Sequence, residues 1–217
     1  MKAPITNLEG IVLRAGKGRE GGRSLFIFTK GNGLTQCTVP RAVWQRYGTG
    51  CLLPFAKIRF TAMQFPSYRV MRQYEGTLLL DMMKMTYEDM QPWYYVIEIA
   101  LQVFPQDQSD YRAYQILETA AIAAGHRNKK IAAFVAAVQL LREAGFDPSR
   151  KEIADTLHLS SSAQQLLEAF CHYSWKKPFG LPISSATFQE CAAYIDQFIP
   201  LYCDVEMMTK GAFISEK

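Results

Sequence analysis

The hydrophobic period of this chain changes once, near Lys84, and that change limits the fold more than any single motif does. Before it, apolar residues come in short alternating runs. After it, they recur every three or four positions. Lys57-Ile58-Arg59-Phe60-Thr61 is the clearest early run, sending Ile58 and Phe60 to one face and Lys57, Arg59 and Thr61 to the other. Strands are expected over 5–14, 24–29, 34–39, within 53–65 and over 68–80, the last bent at Gly76. Lys30-Gly31-Asn32-Gly33 carries the Asn-Gly signal of a tight hairpin between the second and third.

The remainder reads as helices. Thr86 to Asp89 fits a capping box, and Pro92 stands where an early helical proline is tolerated. Tyr94, Ile97, Leu101 and Phe104 then form one helical stripe. Further helices are expected over 110–124, stopped by Gly125, and over 129–144, closed by Gly145. Ser149 to Glu152 is another capping box, and shorter helices follow at 151–158, 161–174 and 185–200. Strands followed by helices without alternation imply an α+β protein. Residues 1–84 are expected to form an N-terminal OB-fold β-barrel and residues 85–217 an all-α helical domain, because five short strands suit a small Greek-key barrel.

Charge follows the same division. Residues 1–84 hold thirteen Lys and Arg against four acids, a balance of +9, whereas the whole chain of 217 residues carries only +4. Residues 85–217 are therefore at −5. Such asymmetry marks a polyanion-binding segment joined to an acidic one. With 49% hydrophobic and 20% charged residues, the chain can bury a core. No stretch lacking Asp, Glu, Lys and Arg exceeds 12 residues, short of the roughly 20 a membrane-spanning helix needs. The N-terminus does not read as a secretion signal, lacking a sustained apolar segment before its first charges. Five cysteines with no C-x-x-C pair read as reduced thiols of a cytosolic protein, mostly core filler.

Gly16-Lys17-Gly18-Arg19-Glu20-Gly21 matches G-x-G-x-x-G, but a strand-like SLFIFT follows where a dinucleotide site needs a helix. A glycine turn between strands, or a basic loop reaching along a phosphate backbone, fits better. The basic residues of this half are interspersed with Phe26, Phe28, Trp44, Tyr47, Tyr68 and Tyr74, a mixture that suits single-stranded nucleic acid. Phe26 and Phe28 are expected in the core, and Trp44 and Tyr47 are the better candidates for exposed rings. Catalysis is poorly supported, so no enzyme is expected: His126, His158 and His172 show no ligand spacing, and adjacent Cys171 and His172 diverge on a helix. Residues 151–170 are similar to a helix-turn-helix, yet the second helix offers only Gln164 and Gln165 toward bases.

The order of these features resembles the RecO family of bacterial recombination mediators. ITNLEGIVLRAGKGREGGRSLFIFTKGNGL holds an E-G-I-V-L-R strand at 9–14, a basic loop, an L-x-x-L-F-T-like strand at 25–29 and a glycine turn at 31–34. Leu53-Pro54-Phe55 resembles that family's L-x-P-F element, WYYVIEIALQVFPQ (93–106) its first long helix, and FVAAVQLLREAGFDP (134–148) its helix ending in a glycine-aromatic-x-proline turn. YIDQFIPLYCDVEMMTKGAFI (194–214) is a weaker likeness to the family's closing helix and tail. Two features depart from the pattern. The four-cysteine zinc module is reduced to Cys171, so no zinc or other cofactor is expected, and the basic run after the third strand is reduced to Val39-Pro40-Arg41-Ala42 with Arg46 beyond.

The resemblance implies a non-enzymatic, cytoplasmic, nucleoid-associated repair factor. It would bind single- and double-stranded DNA, anneal complementary strands, and load recombinase with RecR and single-stranded-DNA-binding protein. Arg14, Lys17, Arg19, Arg23, Lys30, Arg41, Arg46, Lys57 and Arg59 are the candidate phosphate contacts, with Trp44 and Tyr47 as candidate stacking rings. Lys129, Lys130, Arg142, Lys176 and Lys177 are the cations available to the acidic tail of single-stranded-DNA-binding protein. The alternatives are a sequence-reading regulator using 151–170 and an interaction module without DNA binding.

Overall fold

Alternation of inward and outward side chains gives five strands in the computed structural model, which describes residues 3–66, 68–177 and 183–214. They are β1 (Ile5–Lys17), β2 (Arg23–Thr29), β3 (Gly33–Val39), then, after helix α1 (Arg41–Tyr47), β4 (Ala56–Gln64) and β5 (Arg69–Leu78). Antiparallel ladders join β1 to β2, β2 to β3, β4 to β5 and β1 to β4. The ring of pairings β1-β2-β3-β5-β4 is completed by a parallel bridge, Thr38 to Val70. Val12, Leu25, Ile27, Ile58, Phe60 and Met71 fill its interior, each no more than 3% exposed.

The helices are α2 (Tyr87–Val103), α3 (Tyr111–Ala123), α4 (Lys129–Glu143), α5 (Lys151–Thr156), α6 (Ser161–Cys171) and α7 (Ser185–Tyr202). An N-terminal sheet followed by helices is the α+β arrangement expected from the sequence. The chain divides into two compact units: 1–84 with 104–122, and 85–103 with 123–217. A single cut after Lys84 is therefore incomplete, because the segment containing α3 belongs with the strands. Phe104 meets Phe28 edge-on at 5.3 Å, Leu34 pairs with Gln106, and the Asp107 N–H donates to the Leu34 carbonyl. Asp107 also accepts from Thr35 and, at 2.6 Å, from Arg69. Phe28 is thus buried from the outer side of β2 while Leu25 and Ile27 face inward. Redistributing 104–122 changes the charge division: the sheet unit has fourteen bases against seven acids, +7, and the helical unit ten against thirteen, −3.

The helical unit is organised around α4, in which Ala132 through Leu141 are all buried, as an apolar surface on every side requires of a central helix. Phe134 is its hub, with the Phe170, Phe188 and Phe213 rings centred 5.7, 5.1 and 5.0 Å away. Buried Tyr95 of α2 donates to Asp196 of α7, whose second oxygen accepts from the Gly211 N–H. The expected α2 stripe is met in part: Ile97 and Phe104 are buried and Leu101 half-buried, while Tyr94 is 43% exposed and its neighbours Trp93, Tyr95 and Val96 are buried instead. Thr86 caps as anticipated, accepting from the Asp89 N–H, and Asp110 does the same for the Ala113 N–H. Ser149 instead donates to Asp147, so α5 starts after Arg150 with no side-chain cap.

Candidate nucleic-acid interface

Lys17 pairs with Arg23, so β1 continues through Gly16 and the glycine segment is a five-residue turn rather than a long loop. Its Gly18 N–H donates to Gly22 and its Gly22 N–H to Arg19, both at 2.9 Å. Gly21 has φ 73°, and a Cβ on Gly22 would lie 2.9 Å from the Val39 carbonyl oxygen, so both positions favour glycine. Residues 41–47, which carry no helical expectation, form α1 between Pro40 and Gly48. Trp44 of α1 donates its indole N–H to the Gly21 carbonyl at 3.0 Å, tying helix to turn.

This tie brings basic residues together. The Arg23 guanidinium lies 5.6 Å from the Trp44 ring centre, and the Arg41 side chain packs against Gly21. Lys17 and Arg19 belong to the hairpin, Arg14 lies over Phe26 at 4.6 Å, and Arg46 lies over Tyr47 at 5.4 Å. Among the described residues none of these six cations forms an ion pair, and all but half-buried Arg23 are exposed. Sequence reading named each of them and missed the helix that carries Arg41 and Arg46 and brings Trp44 to Gly21 and Arg23.

Lys30, Lys57 and Arg59 are placed differently. Glu9 lies 3.9 Å from Lys30, 3.4 Å from Lys57 and 3.1 Å from Arg59, and Lys57 donates at 2.6 Å to Glu118. Burial works to raise the Glu9 carboxyl, but the Arg59 hydrogen bond and the Lys57 charge outweigh it and hold it below the usual carboxylate range. Lys57 is raised by its hydrogen bond to Glu118, against the effect of burial. The two candidate rings also differ. Trp44 is half-buried and occupied by Gly21 and Arg23, whereas Tyr47 is 39% exposed and meets Tyr74 at 5.5 Å. Phe28 is buried as expected, and Phe26 is only half-buried beneath Arg14.

Tyr47 lines a cleft of about 560 Å³ on β1, β4 and β5 that sequence reading did not identify. Here Thr61 donates to Asn7 at 2.8 Å and accepts from Gln73 at 3.1 Å. The neighbouring row is Glu9, Arg59 and Glu75. The signal was the alternation in β4, which put Arg59 and Thr61 on one outer face; their cross-strand partners depend on register.

In the helical unit, a groove of about 550 Å³ is lined by Ile131, Ala132, Val135, Tyr173, Trp175 and Ile183, with His126, Arg127, Asn128 and Lys176 beside them. Trp175 is held by its indole N–H to Gln139 and by Arg127, which donates to its carbonyl. Of the five expected cations only Lys176 lines this groove. Lys129 pairs with Asp89 at 3.3 Å, Arg142 lies 3.7 Å from Asp147, Lys130 is half-buried on α4, and Lys177 is exposed beyond Lys176. Arg127 went unnamed because its position depends on Tyr173 and Trp175, far along the chain.

Cys171 is buried, its thiol pushed up to about 12, and His172 at the end of α6 lies 3.3 Å from Arg142, so the adjacent pair does not form a nucleophile and base. All five cysteines are free thiols; three are buried, and Cys51 and Cys203 are half-buried. The α6 helix, SSAQQLLEAFC, buries Ala163, Leu166, Leu167 and Phe170 and carries no Lys or Arg. No helix among the described residues is long and apolar enough to cross a membrane. No family model and no curated protein matches the chain.

Proposed function

We propose that the chain is a non-enzymatic factor of recombinational DNA repair, of the RecO kind, whose sheet unit binds single- and double-stranded DNA through phosphates. The observation that carries this is the set Arg14, Lys17, Arg19, Arg23, Arg41 and Arg46, carried by β1, the β1–β2 turn, β2 and α1, none with an acidic partner among the described residues. Unpaired surface cations gain free energy by displacing counterions from a phosphate chain. The strand order, with a helix between β3 and β4, supports an OB-type barrel as the scaffold. Neutralising phosphates on two strands lets complementary strands approach, which is the basis of annealing.

Salt tests this directly. The logarithm of the binding constant should fall linearly with log salt, by about 0.7 to 0.9 per phosphate neutralised. Arg19→Ala with Arg23→Ala should weaken binding to all sequences alike and flatten that slope by about two contacts, because phosphate contacts carry no sequence information. A flat response in the parent protein, or unchanged binding by the double variant, would sink the proposal.

The helical unit would hold the acidic, apolar tail of single-stranded-DNA-binding protein in the Trp175 groove. The Ile131, Val135 and Trp175 side chains suit its apolar residues, and Lys176 with Arg127 suits its carboxylates. The partnership with RecR in recombinase loading is carried over from the family resemblance. A sequence-reading role for 151–170 gains no support, since α6 has no base with which to approach DNA.

A further inference from the structure

We infer that the cleft on β1, β4 and β5 is a site for a single unpaired nucleobase, preferring bases that carry an exocyclic amine over thymine. The inference rests on the nucleic-acid function proposed above and adds base recognition to a surface otherwise described by phosphates. Its lining argues against phosphate. Glu9 and Glu75 outnumber Arg59, so the cleft is net negative within a unit of charge +7. Arg59 is already engaged by Glu9 at 3.1 Å.

What the cleft offers is hydrogen-bonding edges of fixed polarity. Thr61 has one hydroxyl proton and gives it to the Asn7 side-chain carbonyl, while its oxygen accepts from the Gln73 amide. The chain of bonds therefore leaves the Asn7 amino group as a donor and the Gln73 carbonyl as an acceptor. A donor and an acceptor lining one cleft can meet a base edge, where an acceptor lies next to an N–H. Glu75 is exposed on the same face and accepts, which favours an exocyclic amine over the carbonyl of thymine. Tyr47 gives the cleft an aromatic wall, and Arg46, over its ring, joins this site to the phosphate-binding cluster. The volume of about 560 Å³ lies within the range of clefts that hold small ligands.

The test compares oligomers of equal length made of deoxycytidine, thymidine or abasic sugar, titrated against the full chain at one salt concentration. The deoxycytidine oligomer should bind at least about fivefold more tightly than the abasic one, the lower end of what one well-placed base contact contributes. Thymidine should fall between them. Asn7→Ala with Gln73→Ala changes exposed side chains only and should collapse these differences while leaving affinity for the abasic oligomer unchanged. Equal binding of all three oligomers by the parent protein would remove the base site and leave the phosphate function standing. Discrimination that survives the double variant would also overturn this site, placing recognition elsewhere. Failure of all three to bind would remove both.

Discussion

Glu9 accepts hydrogen bonds from Arg59 and Tyr114 and stands within ion-pair distance of Lys57 and Lys30. One carboxylate thereby restrains three of the nine cations that the sequence offers to DNA. Glu9→Gln removes the charge and keeps much of the shape, so it should strengthen DNA binding and steepen the salt slope, read in the same titration. The effect on folding has the opposite sign. Because Glu9 is held below its ordinary pKa, its contribution to stability is present above the unfolded pKa and lost as pH falls through the folded one. Thermal unfolding should show the variant less stable at neutral pH, with the gap closing in acid; a gap that widens in acid would reverse the assignment. In the helical unit, Tyr95→Phe should cost about 1 to 3 kcal/mol, since Asp196, only 7% exposed, loses the donor to one oxygen. Chemical denaturation measures that loss.

Elements were legible where their signals are local. Alternation in β4 placed Ile58 and Phe60 inside, and Asn-Gly marked the hairpin before β3. The helix α1 escaped although Pro40 and Gly48 bracket it, because seven residues are too short to set a period. The exposure of Tyr94 at the start of the α2 stripe escaped for a different reason: Trp93 through Ile97 is apolar throughout, and only packing decides which of them are buried. The docking of 104–122 on the sheet is non-local. Its trace in the sequence was the unbroken apolar runs Ile11-Val12-Leu13 and Leu25 to Phe28, which signal strands covered on both faces. Gly33 tests this docking. It has φ 63°, and a Cβ there would lie 1.9 Å from the Gln108 carbonyl oxygen. Gly33→Ala should therefore destabilise the sheet unit by more than about 1 kcal/mol and raise amide exchange through 104–110. An unchanged exchange pattern would mean that this contact does not hold the segment.

At the scale of the whole molecule, the sheet unit carries +7 and the helical unit −3. The first half of the candidate site was legible because charge can be counted without a fold. The groove was not, because Ile131, Trp175 and Lys176 meet only after α4 and the chain beyond α6 are in place. The two proposed binding activities should then separate in one protein. A peptide of alternating acidic and apolar residues ending in a free carboxylate should bind the Trp175 groove with modest salt dependence, since much of its contact is apolar. Lys176→Glu should weaken that binding by about tenfold, the scale of one well-placed charge pair, and leave DNA affinity and its salt slope untouched. Arg19→Ala with Arg23→Ala should do the converse. If one variant impairs both activities while circular dichroism and thermal unfolding stay normal, the ligands share a surface and the division by unit is wrong. If each variant impairs only its own ligand, the mild total of +4 is the sum of two independent binding functions.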